Sequence, residues 1–108
     1  EGNLNGISTL TKVRNLYLEH NLLSGELPAE LGNCSTLSYF YLSINNITGT
    51  IPVEVAKMNL GYSGLKLNGN RMSGEIPAEV LSSAVWKKLY PETNIYPQQE
   101  GYGFSNVK

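Results

Sequence analysis

Two residues in this chain are of the types from which a nucleophile and a base are usually built. Cys34 is the only cysteine and offers a thiol, while His20 is the only histidine and stands next to the carboxylate of Glu19. A thiol and an imidazole oriented by a carboxylate would together form a site for covalent catalysis. A single cysteine and a single histidine also exclude a disulfide framework and a Cys/His zinc site.

Glutamates recur at a regular spacing and offer a second kind of chemistry. Glu30, Glu54 and Glu79 form a ladder with Glu26 and Glu75 nearby, and stacked carboxylates can collect Ca²⁺. Calcium sites usually recruit Asp, Asn and backbone oxygens from tight loops, but all 9 acidic residues are glutamates. The ladder is therefore interpreted as a solvated face that aids solubility, and neither a metal nor another cofactor is predicted.

Length and charge restrict the function further. The chain has 108 residues with 8 basic and 9 acidic side chains, which give a net charge of −1. This length corresponds to one small domain or to a piece of a larger protein. A nearly neutral chain lacks the basic footprint of a nucleic-acid or polybasic membrane contact, and no apolar run is long enough to cross a bilayer. We therefore predict no nucleic-acid partner and expect any anchor or further domains to lie outside this sequence.

The elements that would position these side chains follow from an internal repeat. Residues 16–31, 40–55 and 65–80 align without gaps at offsets of 24 and then 25 residues. Such a period is typical of solenoids, in which no single coil can bury its apolar face and stacked coils share one core. Five columns are identical in all three segments: Leu18/Leu42/Leu67, Asn21/Asn45/Asn70, Gly25/Gly49/Gly74, Pro28/Pro52/Pro77 and Glu30/Glu54/Glu79.

Each column has a physical interpretation. The apolar–polar–apolar pattern that opens each segment, as in Leu16-x-Leu18, predicts a short strand with one buried face. Strands one repeat apart must be parallel because a crossover joins them. The Asn after each strand carries the donors and the acceptor needed to satisfy backbone groups of adjacent coils. Gly permits a bend, and Pro prevents a helix from continuing through it.

The same repeat separates the two candidate catalytic residues. Cys34 falls in the apolar column of Leu10 and Met58, which predicts a buried core thiol. His20 follows the first strand and is expected on the sheet side of the coil, away from that column. A nucleophile, a base and an orienting group therefore do not converge, and we predict that the chain is not an enzyme.

The ends of the chain depart from the repeat. Residues 1–13 are similar to the back half of an earlier coil, so the repeats are assigned to residues 1–81. Residues 82–108 are assigned to a C-terminal cap and tail. In this cap a short helix is expected to bury Val85, Trp86 and Leu89 and to end at Pro91, with an irregular edge strand around residues 95–96.

Residues 4–81 resemble leucine-rich repeats of the type first described in plants, L-x-x-L-x-L-x-x-N-x-L-(S/T)-G-x-I-P-x-x-L-G. The segments SGELP, TGTIP and SGEIP carry the step that separates this class from other leucine-rich repeats. The resemblance implies an α/β solenoid with short parallel strands on the concave face and short helical or 3₁₀ turns on the convex face. It also implies a non-catalytic recognition module.

The tail IYPQQEGYGFSN, residues 95–106, resembles the C-terminal segment of leucine-rich surface proteins from Bacteroidetes-type bacteria. Plant receptor ectodomains usually carry paired cysteines in their caps, and this chain has only one cysteine. The tail therefore favours a bacterial surface protein, although the sequence does not decide between a bacterial and a plant origin, and either origin implies a cell-surface or extracellular location.

Residues that alternate with the buried leucines are expected to line the concave face. Tyrosines in this position suit protein partners and sugar rings, so we expect a protein or peptide ligand, with a glycan as the alternative. A third interpretation is a structural segment in which the tyrosines only stabilise the sheet and a ligand binds elsewhere. Side by side, these residues are expected to form columns across the sheet: Asn15, Tyr39 and Gly64; Tyr17, Tyr41 and Lys66; Glu19, Ser43 and Asn68; and, at the strand ends, His20, Ile44 and Gly69. The predicted contact residues are Asn15, Tyr17, Glu19, Tyr39, Tyr41, Ser43, Lys66 and Asn68.

Overall fold

A computed structural model describes residues 2–4, 6–7 and 12–107, which fold into a stack of similar coils. Each coil runs through a first short strand, a second short strand and a helical segment. The strands are β1 (Asn15–Tyr17), β2 (Ser24–Glu26), β3 (Tyr39–Tyr41), β4 (Asn46–Thr48), β5 (Leu65–Lys66), β6 (Ser73–Gly74) and β7 (Gly103–Phe104). The helical segments are 3₁₀ helices at Ala29–Asn33 and Val53–Lys57, then α1 (Ala78–Leu81), α2 (Ala84–Lys88) and α3 (Pro91–Asn94).

The strands pair in parallel, as the repeat predicts. The first strands of the coils form one sheet in the order β1-β3-β5, and β2 pairs with β4 in a second sheet. Tyr17 lies opposite Tyr41, and Tyr41 lies opposite Lys66. The repeat offsets of 24 and 25 residues are therefore the register of the main sheet.

The core lies between this sheet and the helical segments. Because side chains alternate along a strand, Phe40 and Leu42 point inward from β3 and its end, and both are fully buried. Val55 from the second 3₁₀ helix closes the core on the far side. Leu16 and Leu18 are only half-buried because β1 lies at the edge of the sheet.

A ladder of asparagine side chains runs through the interior. The buried Asn70 amide nitrogen donates to the carbonyls of Leu42 and Leu67, each at 2.9 Å. Its oxygen accepts from the N–H of Ile47 at 3.0 Å. Asn45 makes the equivalent bonds one coil earlier. The predicted role of the asparagine column is confirmed for Asn45 and Asn70, each of which satisfies backbone groups in its own coil and in the preceding one.

The glycine column adopts a conformation that other residues rarely take. Gly25, Gly49 and Gly74 have φ of 85°, 80° and 85°. A Cβ on Gly49 would lie 2.8 Å from Cγ of Glu26, in the coil before it. A Cβ on Gly25 or Gly74 would make only ordinary contacts, at 3.8 and 3.6 Å, so the bend needs glycine for its positive φ.

The third repeat ends in α1, and α2 and α3 follow it closely. Ser83 caps α2, with its hydroxyl accepting from the N–H of Trp86. Trp86 and Leu89 are buried and Val85 is half-buried. The expectation for Pro91 was wrong in one respect, since it stands at the first position of α3, where proline's missing N–H costs no hydrogen bond.

The tail returns to the stack and continues it. The expected edge strand around residues 95–96 is wrong, because no strand forms there and β7 at Gly103–Phe104 pairs in parallel with β6. Ile95 and Phe104 are buried against the core. The amide N–H of Gly69 donates to the carbonyl of Pro97 at 2.8 Å, so the tail bonds to the third coil as one coil bonds to the next.

The N-terminal residues that the structure describes also contact the first coil. Gly2 forms a parallel bridge with Leu23, and both Leu4 and Ile7 are buried. Leu10, which was assigned to the Cys34 column, lies outside the described residues. None of the helices in the described residues is long and apolar enough to cross a membrane.

Candidate functional site

The solvent side of the β1-β3-β5 sheet carries a row of three neighbouring side chains from three successive coils. The rings of Tyr17 and Tyr41 stack with centroids 4.8 Å apart and planes inclined by 26°. Nζ of Lys66 lies 4.4 Å from the centroid of the Tyr41 ring, within the range of a cation–π contact. We call the surface formed by Tyr17, Tyr39, Tyr41 and Lys66 the tyrosine face.

This row combines exposure with order. Tyr17 is 54 % exposed, while Tyr41 and Lys66 are half-buried between their neighbours. Parallel strands hold the three Cα atoms in register, and the ring stack and the ammonium restrict the side chains. An aromatic surface with few free rotamers binds a partner with little loss of side-chain entropy.

The electrostatics of the row keep its central hydroxyl neutral. Burial raises the pKa of the Tyr41 hydroxyl above its ordinary value, and the neighbouring Tyr17, Tyr39 and Glu19 raise it further. A phenol with a raised pKa stays protonated at physiological pH and remains a hydrogen-bond donor. The row therefore offers an ammonium, a hydroxyl donor and two aromatic faces.

Tyr39 extends the tyrosine face along the beginning of the strands. It lies opposite the exposed Asn15 and is itself half-buried. A Cβ on Gly61 would lie 2.7 Å from the Tyr39 hydroxyl oxygen, so the ring lies against bare backbone. At Gly64, the third member of this predicted column, an added Cβ would lie 2.5 Å from the carbonyl oxygen of Ser38. This column therefore offers the polar side chains of Asn15 and Tyr39, which lie beside the closely packed backbone at Gly64.

The column of Glu19, Ser43 and Asn68 has a different character. The Ser43 hydroxyl donates to Oδ1 of Asn68 at 2.7 Å, and Ser43 is only 8 % exposed. Asn68 and Glu19 are half-buried. Ser43 therefore holds Asn68 in place and offers little surface of its own, while Glu19 supplies a carboxylate near Tyr41.

The strand ends carry a row in the left-handed backbone region. His20, Ile44 and Gly69 have φ of 60°, 59° and 77°. A β-branched residue at positive φ is strained, yet Ile44 is 47 % exposed beside the tyrosine face. The glycine in the third repeat was the sequence signal for this conformation, because it shares a column with His20 and Ile44.

The residues considered for covalent catalysis and for metal binding do not come together in one site. Cys34 is 2 % exposed, burial raises the pKa of its thiol, and Sγ contacts the carbonyl oxygens of Ile7 and Glu30 at 3.6 and 3.8 Å. His20 is exposed at the end of the sheet, away from this thiol. Among the residues that the structure describes, no three His, Cys, Asp or Glu side chains are grouped to hold a metal ion.

Comparison with known proteins identifies the repeat class. The family model described as Leucine Rich Repeat matches residues 12–34 and 36–58. The match covers the first two complete coils, and the coil that follows has the same strand, asparagine and glycine geometry.

Curated relatives come from plants. The receptor kinase-like protein Xa21 of Oryza sativa subsp. japonica is 40 % identical over 89 residues, which are 82 % of this chain and 9 % of that protein. Receptor-like protein 32 of Arabidopsis thaliana is 32 % identical over 80 residues, which are 72 % of this chain and 9 % of that protein. The chain therefore spans only a small part of the relatives that it matches, within their leucine-rich repeats.

Solved structures show the same fold. The plant peptide hormone receptor RGFR1 in complex with RGF2 has a TM-score of 0.69 at 26 % identity, over 91 % of this chain and 15 % of that one. The PEPR1–AtPEP1 complex has a TM-score of 0.68 at 42 % identity, over 76 % of this chain and 12 % of that one. The Arabidopsis receptor kinase HAESA, in complex with the peptide hormone IDA and the co-receptor SERK1, has a TM-score of 0.64 at 33 % identity. This match covers 73 % of this chain and 13 % of that one.

Two sequence-based expectations receive no support from these proteins. The tail was expected to indicate a bacterial surface protein, but the relatives named above are plant receptor proteins. A glycan ligand is likewise unsupported, since RGFR1 is a peptide hormone receptor and HAESA is in complex with a peptide hormone. The chain folds as a leucine-rich repeat solenoid with parallel strands, and it is similar to plant receptor proteins over a small part of their length.

Proposed function

Because the chain carries leucine-rich repeats whose homologues are plant receptor proteins, we propose that it is a non-catalytic module that binds a peptide across the tyrosine face. The observation that carries this proposal is the ordered and exposed row of Tyr17, Tyr41 and Lys66. Stacked aromatic rings beside a cation provide large contact area and directional polar groups, which are typical of binding hot spots.

The contacts around the row suggest how a peptide would be held. The rings of Tyr17 and Tyr41 would pack against an apolar or planar side chain of the ligand. The hydroxyl of Tyr41 and the ammonium of Lys66 would donate to peptide carbonyls, and the carboxylate of Glu19 would accept from a peptide N–H. Ser43 would act through Asn68, whose amide it orients. Asn15 and Tyr39 would bind the part of the ligand nearest the beginning of the strands.

The structural relatives support a peptide as the ligand. RGFR1 is a peptide hormone receptor in complex with RGF2, and HAESA is in complex with the peptide hormone IDA and the co-receptor SERK1. In this proposal the tyrosine face is the concave face of the solenoid. The module belongs to a larger receptor-like protein and acts at the cell surface or outside the cell.

The proposed domain division places the repeats in residues 1–81 and a helical cap with a tail in residues 82–108. Burial of Trp86 and Leu89 beside the third coil supports this division. A bulky aromatic residue covers much apolar area at once and suits the closing layer of a solenoid.

A selection from a random peptide display library tests the proposal. Peptides enriched on the native chain would then be measured against the Tyr17→Ala/Tyr41→Ala variant by calorimetry. A control is Tyr102→Ala, which removes an exposed ring next to β7, outside the β1-β3-β5 sheet. We expect at least roughly tenfold weaker binding in the first variant, corresponding to about 1.4 kcal/mol, and unchanged binding in the control.

The result also separates the other functions considered. Equal binding by both variants would contradict a site on the tyrosine face and favour a structural segment whose ligand lies elsewhere. Failure of the library combined with tight binding of soluble oligosaccharides, lost in the first variant, would replace the peptide by a glycan. Circular dichroism and thermal melting of both variants would show whether they are folded, so that weaker binding is not caused by a loss of folding.

A further inference from the structure

An exposed apolar rim lies past the ends of the main-sheet strands, next to the tyrosine face. Ile44 and Pro97 are both exposed, and Gly69 adjoins each of them. A Cβ on Gly69 would lie 3.0 Å from Cγ1 of Ile44, and the N–H of Gly69 donates to the carbonyl of Pro97 at 2.8 Å. We call the surface formed by Ile44, Gly69 and Pro97 the apolar rim.

The backbone at Ile44 is held in a conformation that is costly for its residue type. Its φ is 59°, in the left-handed region that β-branched residues disfavour, and its side chain is 47 % exposed. The third repeat has glycine at the same position, where φ is 77°. Strained residues of this kind cluster at ligand sites. An exposed aliphatic side chain on a strained backbone therefore points to a role on the surface.

Hydrogen bonds from neighbouring coils hold the rim in place. The N–H of Ile44 donates to the carbonyl of Asn68 at 3.0 Å. Nε2 of Gln99, in the tail, donates to the carbonyls of Asn45 and Gly69 at 2.9 and 3.0 Å. The second coil, the third coil and the tail are thus joined at this point. A rim that is fixed before a ligand arrives lowers the entropic cost of binding.

The rim continues the surface that the tyrosine face begins. Ile44 comes three residues after Tyr41, and Gly69 comes three residues after Lys66. Between the two surfaces lies the hydrogen-bonded pair of Ser43 and Asn68. A ligand that contacts Tyr41 and Lys66 can therefore extend along the strand direction onto the rim.

We propose that the apolar rim binds an aliphatic or aromatic side chain of the peptide and that Ile44 selects for it. This inference rests on the proposed function, because it names one requirement of that peptide. An apolar side chain would remove exposed surface of Ile44 and Pro97 from water, and the missing side chain of Gly69 leaves its backbone open to close approach. The tail then takes part in recognition as well as in closing the stack.

Peptides enriched on the native chain test this assignment. Ile44→Asn suits the backbone conformation but removes the apolar surface, whereas Ile44→Leu retains that surface. We expect at least roughly tenfold weaker binding by the first variant and less than about threefold change in the second. A control is Val53→Asn, which replaces an exposed apolar residue in the second 3₁₀ helix, across the core from the sheet, and should bind as the native chain does. Native affinity in Ile44→Asn would overturn the inference.

The stability of Ile44→Asn gives a second readout, which a residue with a purely structural role would move in the other direction. A binding residue held under strain predicts a gain in stability together with a loss of binding. Urea denaturation and calorimetry of the same preparation measure both quantities. A variant that loses stability as well as binding would assign Ile44 to packing and overturn the inference.

A small probe separates this inference from the proposed function. N-acetyl-leucinamide would be titrated into the ¹⁵N-labelled chain and followed by NMR, with N-acetyl-serinamide as the polar control. We expect saturable shifts centred on residues 43–45 and 68–70 with the leucine amide alone, and equal shifts with both amides or shifts centred elsewhere would overturn the rim. Leucine-specific shifts at the rim, combined with a peptide library that yields no binder, would refute the proposed function and leave the rim intact. Enriched peptides that bind Ile44→Asn like the native chain would refute the rim and leave the proposed function intact.

Discussion

The side-chain amide of Gln98 makes the hydrogen bonds for the last turn of the chain that Asn70 makes one coil earlier. Nε2 of Gln98 donates to the carbonyls of Leu67 and Ile95 at 2.9 and 2.8 Å. Its oxygen accepts from the N–H of Met72 at 3.0 Å. Asn70 shows the same pattern on the preceding coil. The tail thus completes the interior ladder although its sequence lacks the repeat.

This relationship predicts that Gln98 stabilises the whole solenoid. Gln98→Ala removes three bonds and leaves half-buried backbone groups without partners, so the free energy of unfolding should fall by about 2 kcal/mol. Urea denaturation measures the change. Glu100→Ala, an exposed substitution in the same tail, should change stability by less than about 0.5 kcal/mol. Equal effects of the two substitutions would contradict the role of Gln98.

The asparagine column should contribute unequally along the stack. Asn70 is fully buried and bonded to two coils, whereas Asn21 is exposed and, among the residues that the structure describes, bonds to carbonyls of its own coil. We expect Asn70→Ala to cost about 3 kcal/mol, because the buried N–H of Ile47 loses its partner and the carbonyls of Leu42 and Leu67 each lose one of two side-chain donors. Asn21→Ala should cost less than about 1 kcal/mol. Similar costs in denaturation experiments would show that burial does not decide the contribution of this column.

The strained backbone at the exposed Ile44 should lower the free energy of unfolding. At φ 59° its β-branched side chain is strained, whereas asparagine adopts this conformation readily. Ile44→Asn is therefore expected to raise the free energy of unfolding by about 0.5 to 1 kcal/mol. Leu22→Asn replaces an exposed apolar residue that lies outside the positive-φ positions and should give no gain. A loss of stability on Ile44→Asn would show that its packing over Gly69 outweighs the strain.

Cys34 should be inert in the folded chain and sensitive to pH through unfolding. Burial raises the pKa of its thiol, so the folded state keeps the proton when the unfolded state begins to lose it. The stability from this group is fully present below the unfolded pKa and decreases as pH rises above about 8.5. Labelling with a thiol reagent at pH 8 should be slow for the native chain and fast in urea.

Comparison with Cys34→Ala isolates this effect, because the variant lacks the titrating group. Its stability should decline less between about pH 8 and 9.5 than that of the native chain. A native thiol that reacts as fast as an unfolded one would mean that the coil around Cys34 opens readily.

Much of the main sheet could be predicted from the repeat. Tyr17 was assigned to the column of Tyr41 and Lys66 from sequence offsets alone, and the strands pair in that register. The reason is local, because strand alternation decides which side chain points outward and the repeat length decides which residues become neighbours. The same argument placed the asparagine ladder and the buried Cys34 correctly.

The parts that follow no period required the tertiary structure. Pro91 was expected to end a helix but begins one, and the strand expected at residues 95–96 forms instead at Gly103–Phe104. Gln98 replaces an asparagine only because the returning tail brings a longer side chain to the same carbonyls. The sequence by itself determined the coil, its register and its core, since these depend on short-range periodicity. Three-dimensional packing alone decided how the tail closes the stack and that Pro97 lies beside Gly69, because those contacts join residues that no repeat relates.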